Sequence, residues 1–179
     1  MKIAIDIDDT FVIHRARDTN FTLEFAKANN LDYEFINDKN LNDGIKINWT
    51  PELYEMFWTS SFGKNFYKYA VVTNKNKQII KTLQKRGHKV YFITARNLKW
   101  QEITQNWLEK NNLTDITLIF SKNKAEICRQ NKIDILIDND LDVCKQATDI
   151  GIKTYCFNPK TSDLNDLLKI AKTGDIYEK

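Results

Sequence analysis

The sequence predicts an α/β protein: a doubly wound parallel sheet that carries a helical insertion after its first strand. Three observations predict it. From residue 74 onward, short apolar runs alternate with amphipathic stretches, the pattern of strands joined by crossover helices, which implies a parallel sheet. The run Lys2-Ile3-Ala4-Ile5-Asp6-Ile7 reads as a short strand buried on both faces, and it ends in carboxylates. Between these, residues 14 to 72 lack strand periodicity and far exceed the roughly 2–6 residues of an ordinary βα loop.

The elements follow in order. Phe21, Leu23, Phe25 and Ala26 start a helix with Asp18 or Thr19 as its cap. Thr50-Pro51-Glu52 opens a second helix, a cap residue followed by Pro at the first helical position, with Leu53, Phe57 and Trp58 on one side. Residues 76–86 read as a helix ended by Gly87, and 89–93 as a strand. Residues 98–111 form a helix with Trp100, Ile103, Trp107 and Leu108 at helical spacing. A strand at 116–120, a helix at 123–130, a strand at 133–137 and a helix at 141–148 capped near Gly151 come next. A strand at 152–157 and a helix at 164–172 close the series. The core is thus 1–13 with 73–179, and 14–72 forms a cap or lid.

The composition fits this. A chain of 179 residues with 42% hydrophobic and 28% charged residues matches an ordinary globular protein with a real core. Two Pro and five Gly leave no flexible linker. The amino terminus lacks the apolar run of a signal peptide, and no stretch approaches a membrane span, so a cytoplasmic protein is expected. Cys128, Cys144 and Cys156 form no C-x-x-C pair, and with only His14 and His88 beside them they read as reduced thiols rather than zinc ligands. A net charge of +3 is too small to suggest stable nucleic-acid binding. Lys75, Lys77, Lys81, Lys85 and Arg86 read as a solvated helix face.

Chemistry concentrates at strand ends. Asp6-Ile7-Asp8-Asp9-Thr10 follows the first strand directly, where open α/β sheets bind their ligands. Carboxylates this close repel one another and call for a cation or a shared proton. A second apolar strand delivers Asp138-Asn139-Asp140-Leu141-Asp142, while Asp134, at its other end, reads as structural. If the first and fourth core strands are neighbours, Asp6 and Asp138 converge on one cation. Carboxylate oxygens with room for water and phosphate suit Mg²⁺ better than zinc. Between the clusters lie Thr94-Ala95-Arg96 at a strand end and the loop Ser121-Lys122-Asn123-Lys124. A hydroxyl, exposed backbone N–H groups and a lysine can hold phosphoryl oxygens.

The order Asp-x-Asp, Thr, Lys, Asp resembles the four motifs of the haloacid dehalogenase superfamily. They stand here as Asp6-Ile7-Asp8-Asp9-Thr10, Phe92-Ile93-Thr94-Ala95-Arg96, Lys124 at a helix start, and Ile135-Leu136-Ile137-Asp138-Asn139. The resemblance implies a core sheet of strand order 3-2-1-4-5, a C1-type cap at 14–72, and a Mg²⁺-dependent phosphomonoesterase working through an aspartyl phosphate. It implies Asp6 as nucleophile and metal ligand, and Asp8 as general acid/base touching the metal through its carbonyl. Thr94, Ala95 and Lys124 hold phosphate, Lys124 being preferred over Lys122. Asp138 completes the metal ligands, and Thr10 and Asp142 support them. In the fourth motif Asn139 stands where the superfamily often has a second Asp.

Within the superfamily the chain resembles the 5′(3′)-deoxyribonucleotidase-like group. The marks are the Ile-Asp-Ile-Asp-Asp-Thr start, Met56-Phe57-Trp58 and Ile93-Thr94-Ala95-Arg96. This implies a small phosphorylated substrate, a nucleoside monophosphate, with Phe21, Phe57 or Trp58 against the base and Arg96 near phosphate. Sugar phosphates and polynucleotide 3′-phosphate ends remain alternatives, as do a receiver-like signalling module and a non-catalytic phosphate-binding protein.

Overall fold

A computed structural model describes residues 1–12, 20–35, 45–159 and 161–173. In chain order the first elements are β1 (Lys2–Ile5), α1 (Phe21–Ala28), β2 (Tyr33–Phe35), β3 (Ile45–Ile47), α2 (Pro51–Thr59), α3 (Ser61–Lys68) and α4 (Asn74–Lys85). Then come β4 (Lys89–Thr94), α5 (Gln101–Lys110), β5 (Ile116–Phe120), α6 (Lys124–Asn131), β6 (Ile135–Asp138), α7 (Leu141–Asp149), β7 (Lys153–Cys156) and α8 (Asp166–Thr173). The chain divides into two compact units: Met1–Ile13, Val72–Arg96 and Leu108–Lys179 form the first, and His14–Val71 with Asn97–Trp107 form the second. Among the described residues no helix is long and apolar enough to cross a membrane.

The first unit is an α/β sandwich around a five-stranded parallel sheet of order β5-β4-β1-β6-β7. The central strands are apolar on both faces because helices cover both. Ile3, Ala4 and Ile5 of β1 are buried, as is every residue of β6. Ala4, Ile93 and Leu136 from three strands pack against Ala125 and Cys128 of α6 and Ala147 of α7. The small residues let those helices lie close to the sheet. Local signals set the helix limits. Thr73, Asn123 and Asp140 accept backbone N–H bonds at the starts of α4, α6 and α7. Gly87, at φ +79°, takes the left-handed conformation that releases the chain from α4 into β4. Asp134 is structural: its carboxylate accepts from the backbone N–H of Lys2 at 2.7 Å and its own N–H donates to the Lys2 carbonyl at 2.9 Å.

The second unit is held by aromatic rings. Phe57, 2% exposed, meets Phe25, Trp49, Trp58 and Phe66 edge-on with centroids 4.8–6.2 Å apart, the geometry that ring quadrupoles favour. The segment expected to be mainly helical also contains an antiparallel pair, β2 with β3, in register Tyr33↔Ile47 and Phe35↔Ile45. Three-residue strands are too short to display alternation, although Ile45 and Ile47 do bury on one side around exposed Lys46. The cap of α1 is Asn20, whose side chain accepts from the Leu23 N–H. Asp18 and Thr19, expected in that role, lie outside the described residues. The helix begun by Pro51 breaks at Ser60, which ends α2 and caps α3. The helix expected from Leu98 begins instead as a 3₁₀ turn, Leu98–Trp100, before α5.

Candidate active site

The parallel sheet brings the acids together. Residue Ile5 is aligned with Ile137 of β6 and with Phe92 of β4, so the chain segments that follow these three strands emerge side by side. Asp6 stands one residue beyond β1, Asp138 ends β6, and Thr94 ends β4. Asp6 is tied to the neighbouring strand end by its N–H, which donates to the Ile137 carbonyl at 2.9 Å. The turn after it closes through Phe11 N–H to the Asp6 carbonyl at 3.3 Å and Val12 N–H to the Ile7 carbonyl at 2.8 Å. Asp9 adopts φ +57° within that turn, a conformation Asp tolerates better than most side chains.

Lys124 opens α6, and its Nζ donates to Asp6 Oδ1 at 2.6 Å and to Asp138 Oδ2 at 2.7 Å. All three side chains are buried: Asp6 is 5%, Lys124 5% and Asp138 0% exposed. Lys122, the other lysine of the loop, is exposed. Burial raises the Asp6 carboxyl to about 7 against the pull of Lys124, and Asp138 and Asp8 push it in the same upward direction. Burial alone would lower Lys124, but Asp6 and Asp138 outweigh it and hold its ammonium above the usual lysine range. With Asp6 ionised, two carboxylates against one ammonium leave one negative charge uncompensated in a buried place.

That surplus, with oxygen donors only, fits a hard divalent cation. Among the described residues no group of three or more His, Cys, Asp or Glu side chains is arranged to hold a metal by itself. The carboxylates of Asp6 and Asp138, brought together on Lys124, are oxygen donors. So sparse a protein set suits Mg²⁺, which keeps several waters or substrate oxygens, and not an all-protein cage.

Asp8 is held by an arginine. Arg96 Nε donates to Asp8 Oδ2 at 2.8 Å and Nη2 to Oδ1 at 2.7 Å. The Arg96 side chain is fully buried, whereas Asp8 keeps 27% of its side chain exposed. Thr94 is fully buried, and its Oγ1 accepts from the Arg96 backbone N–H at 3.2 Å, which leaves its hydroxyl proton available to donate. Ala95 is exposed beside it. Thr10, also fully buried, donates to Asn139 Oδ1 at 3.0 Å. Asn76 Nδ2 donates to the Phe11 carbonyl at 2.7 Å and steadies the same turn.

Of the residues singled out from sequence, Asp6, Asp138 and Lys124 therefore share one ion cluster, and Asp8 pairs with Arg96. Asp142 is exposed in the first turn of α7, where a carboxylate complements the helix dipole. In the second unit Phe57 is buried in the aromatic cluster, and Phe21 stacks on Tyr69 with centroids 6.1 Å apart. Trp58 stacks on Tyr67 at 5.1 Å, and its buried Nε1 has no hydrogen-bond partner among the described residues. Sequence reasoning missed the part played by Asn139, Asn76 and the Arg96 fork. The only advance signal was the Thr-Ala-Arg run at a strand end.

Comparison with known proteins agrees with the fold. No family model matches the chain. YqfW of Bacillus subtilis, provisionally named a nucleotidase, is 27% identical over 176 residues, spanning 92% of this chain and 83% of its own. A Bacillus cereus protein with the same provisional name is 26% identical and covers 100% of this chain and 99% of its own. Among solved structures, the HAD-family enzyme bt-2542 of Bacteroides thetaiotaomicron, in complex with magnesium and inorganic phosphate, superposes with a TM-score of 0.57. It is 19% identical and matches 93% of this chain and 98% of its own. The superposition shows that the chain has the α/β fold of that HAD-family enzyme along nearly its whole length.

Proposed function

We infer that the chain is a Mg²⁺-dependent phosphomonoesterase that works through an aspartyl phosphate on Asp6, and that its substrates are nucleoside monophosphates. The observation that carries this is the buried cluster in which Asp6 and Asp138, from adjoining strand ends, share Lys124, with Asp8 on the same loop as Asp6. The nucleotide half of the reading is supported by the names of the relatives and by the aromatic second unit, to which we assign substrate choice through Phe21 and Trp58.

In the first step a carboxylate oxygen of Asp6 forms a bond to phosphorus as the bond from phosphorus to the leaving oxygen breaks. Asp8 gives its proton to that oxygen. Lys124 and the Thr94 hydroxyl neutralise and hold the oxygens of the transferred group, and the exposed backbone at Ala95 lies beside them. In the second step Asp8 takes a proton from water as the water oxygen attacks phosphorus. The aspartyl bond breaks, returning the Asp6 carboxylate and releasing inorganic phosphate. Asp6, Asp138 and the Asp8 carbonyl would hold Mg²⁺. Once bound, the ion neutralises charge on the phosphate and favours the ionised form of Asp6.

The test is phosphate release, with Mg²⁺ and with EDTA, from deoxy- and ribonucleoside monophosphates, sugar phosphates and a 3′-phosphorylated oligonucleotide, with Asp6→Asn alongside. Metal-dependent release from nucleotides that the variant lacks supports the whole reading. Release only from sugar phosphates or oligonucleotide ends keeps the mechanism and discards the substrate. Undiminished activity in a natively folded Asp6→Asn would remove Asp6 as nucleophile.

A further inference from the structure

We propose that Arg96 is a positioning residue that aims the Asp8 carboxylate at the leaving oxygen and at the attacking water, and is not a phosphate ligand. The inference rests on the reading of Asp8 as the general acid/base. A cation at the end of a strand in a phosphatase site would ordinarily be assigned to the substrate. Here the geometry points elsewhere. The guanidinium is fully buried, and Nε and Nη2 each meet a different oxygen of the same carboxylate, at 2.8 and 2.7 Å. A planar fork on a planar carboxylate fixes both the distance and the plane of the acid.

The rest of the surroundings fix the fork in turn. Arg96 follows β4 by two residues, and its backbone N–H is held by Thr94 Oγ1 at 3.2 Å. The position of the guanidinium is therefore tied to the same strand end that presents Thr94. Asp8, by contrast, lies in a turn and is partly exposed. Its backbone is constrained by Val12 N–H to the Ile7 carbonyl, and both oxygens of its carboxylate are gripped by Arg96. A carboxylate on a turn, partly in water, samples several rotamers unless something holds it. Arg96 supplies that restraint from the rigid sheet, which is what precise proton transfer needs.

A positioning role and a phosphate-binding role predict different kinetics. Arg96→Lys keeps the charge and loses the fork. Acting through Asp8, it should lower kcat/KM for an alkyl ester such as a nucleoside monophosphate by about 10²-fold, the scale of a misaimed reacting group. With p-nitrophenyl phosphate, whose leaving group needs no proton, kcat/KM should stay within a few-fold of wild type. The product should then appear as a burst, because hydrolysis of the aspartyl phosphate still needs an aimed base. Competitive inhibition by inorganic phosphate should be unchanged.

Arg96→Gln, checked for native circular dichroism, should behave in the same way. In an Asp8→Asn background, Arg96→Lys should have no further effect on p-nitrophenyl phosphate turnover, because the arginine has lost the group through which it acts. Weaker phosphate inhibition with a raised KM for both esters would overturn the proposal in favour of a phosphate ligand. Equal loss of kcat/KM on both esters would reduce Arg96 to a structural residue and overturn it too. A wild-type chain that hydrolyses neither ester would overturn the reading of the site itself, and this inference with it.

Discussion

The Thr10 hydroxyl donates to Asn139 Oδ1 at 3.0 Å from a fully buried position, and this one bond fastens the loop after β1 to the loop after β6. Those loops carry Asp6 and Asp8 on one side and follow Asp138 on the other. Thr10→Val keeps the shape and deletes the donor. It should lower unfolding free energy by about 0.5–1.5 kcal/mol in urea titration, and lower kcat more than it raises KM, because the acids lose a shared anchor. Thr10→Ser should restore most of both.

Cation binding should be visible as stability. With Asp6 ionised, the Asp6, Asp138 and Lys124 cluster carries one surplus negative charge in a buried place, so Mg²⁺ should raise the thermal midpoint and EDTA should reverse the rise. At 100-fold excess over its dissociation constant the ion would add about 2.7 kcal/mol. Asp138→Asn preserves the acceptor that receives the Asp140 N–H at 3.0 Å but removes a charge, and its midpoint should respond weakly or not at all. An equal shift in wild type and variant would remove Asp138 from the ligand set.

Gly63 is required by space. A Cβ there would meet the Phe57 carbonyl oxygen at 2.6 Å and Trp58 Cα at 2.9 Å. Both are backbone atoms that cannot rotate aside. Gly63→Ala should therefore force α3 away from α2 and cost roughly 1–3 kcal/mol, the range for overpacking. The loss should appear in thermal melting and in tryptophan fluorescence, since Trp58 lies at the clash.

His88 gives the fold a pH dependence of known sign. Burial lowers its pKa below the usual 6.5, and the N-terminal amine and Arg86 act in the same direction. The amino group of Met1 lies 3.3 Å from His88 Nδ1. The unfolded chain thus binds a proton at pH values where the folded one does not, so stability from this group is present above 6.5 and is lost as pH falls below it. Between about pH 7.5 and about pH 5, wild type should lose more of its urea midpoint than His88→Gln does.

Much of the first unit was legible in the sequence because its determinants are local. Residues Ile3 to Ile5 and Ile135 to Ile137 are apolar without interruption, which only a strand covered on both faces requires. Gly87 marks the end of α4 through its own conformation, whereas the Thr73 cap was not read, and the helix expected from residue 76 begins at Asn74. The β2–β3 pair escaped notice because three residues cannot establish a period, and the Asn20 cap because Asp18 and Thr19 offer the same chemistry nearby.

The sequence by itself determined the parallel α/β core and the delivery of aspartates to strand ends, since alternation and strand-end composition are properties of neighbouring residues. Only the tertiary structure decided which charges meet. Lys124 reaches Asp6 across 118 positions of chain, and Arg96 reaches Asp8 across 88. Both meetings depend on β4 and β6 flanking β1 in the sheet. The physical reason is that an ion pair is made by distance in space, and a one-dimensional pattern carries no information about distance until the register of the strands is set.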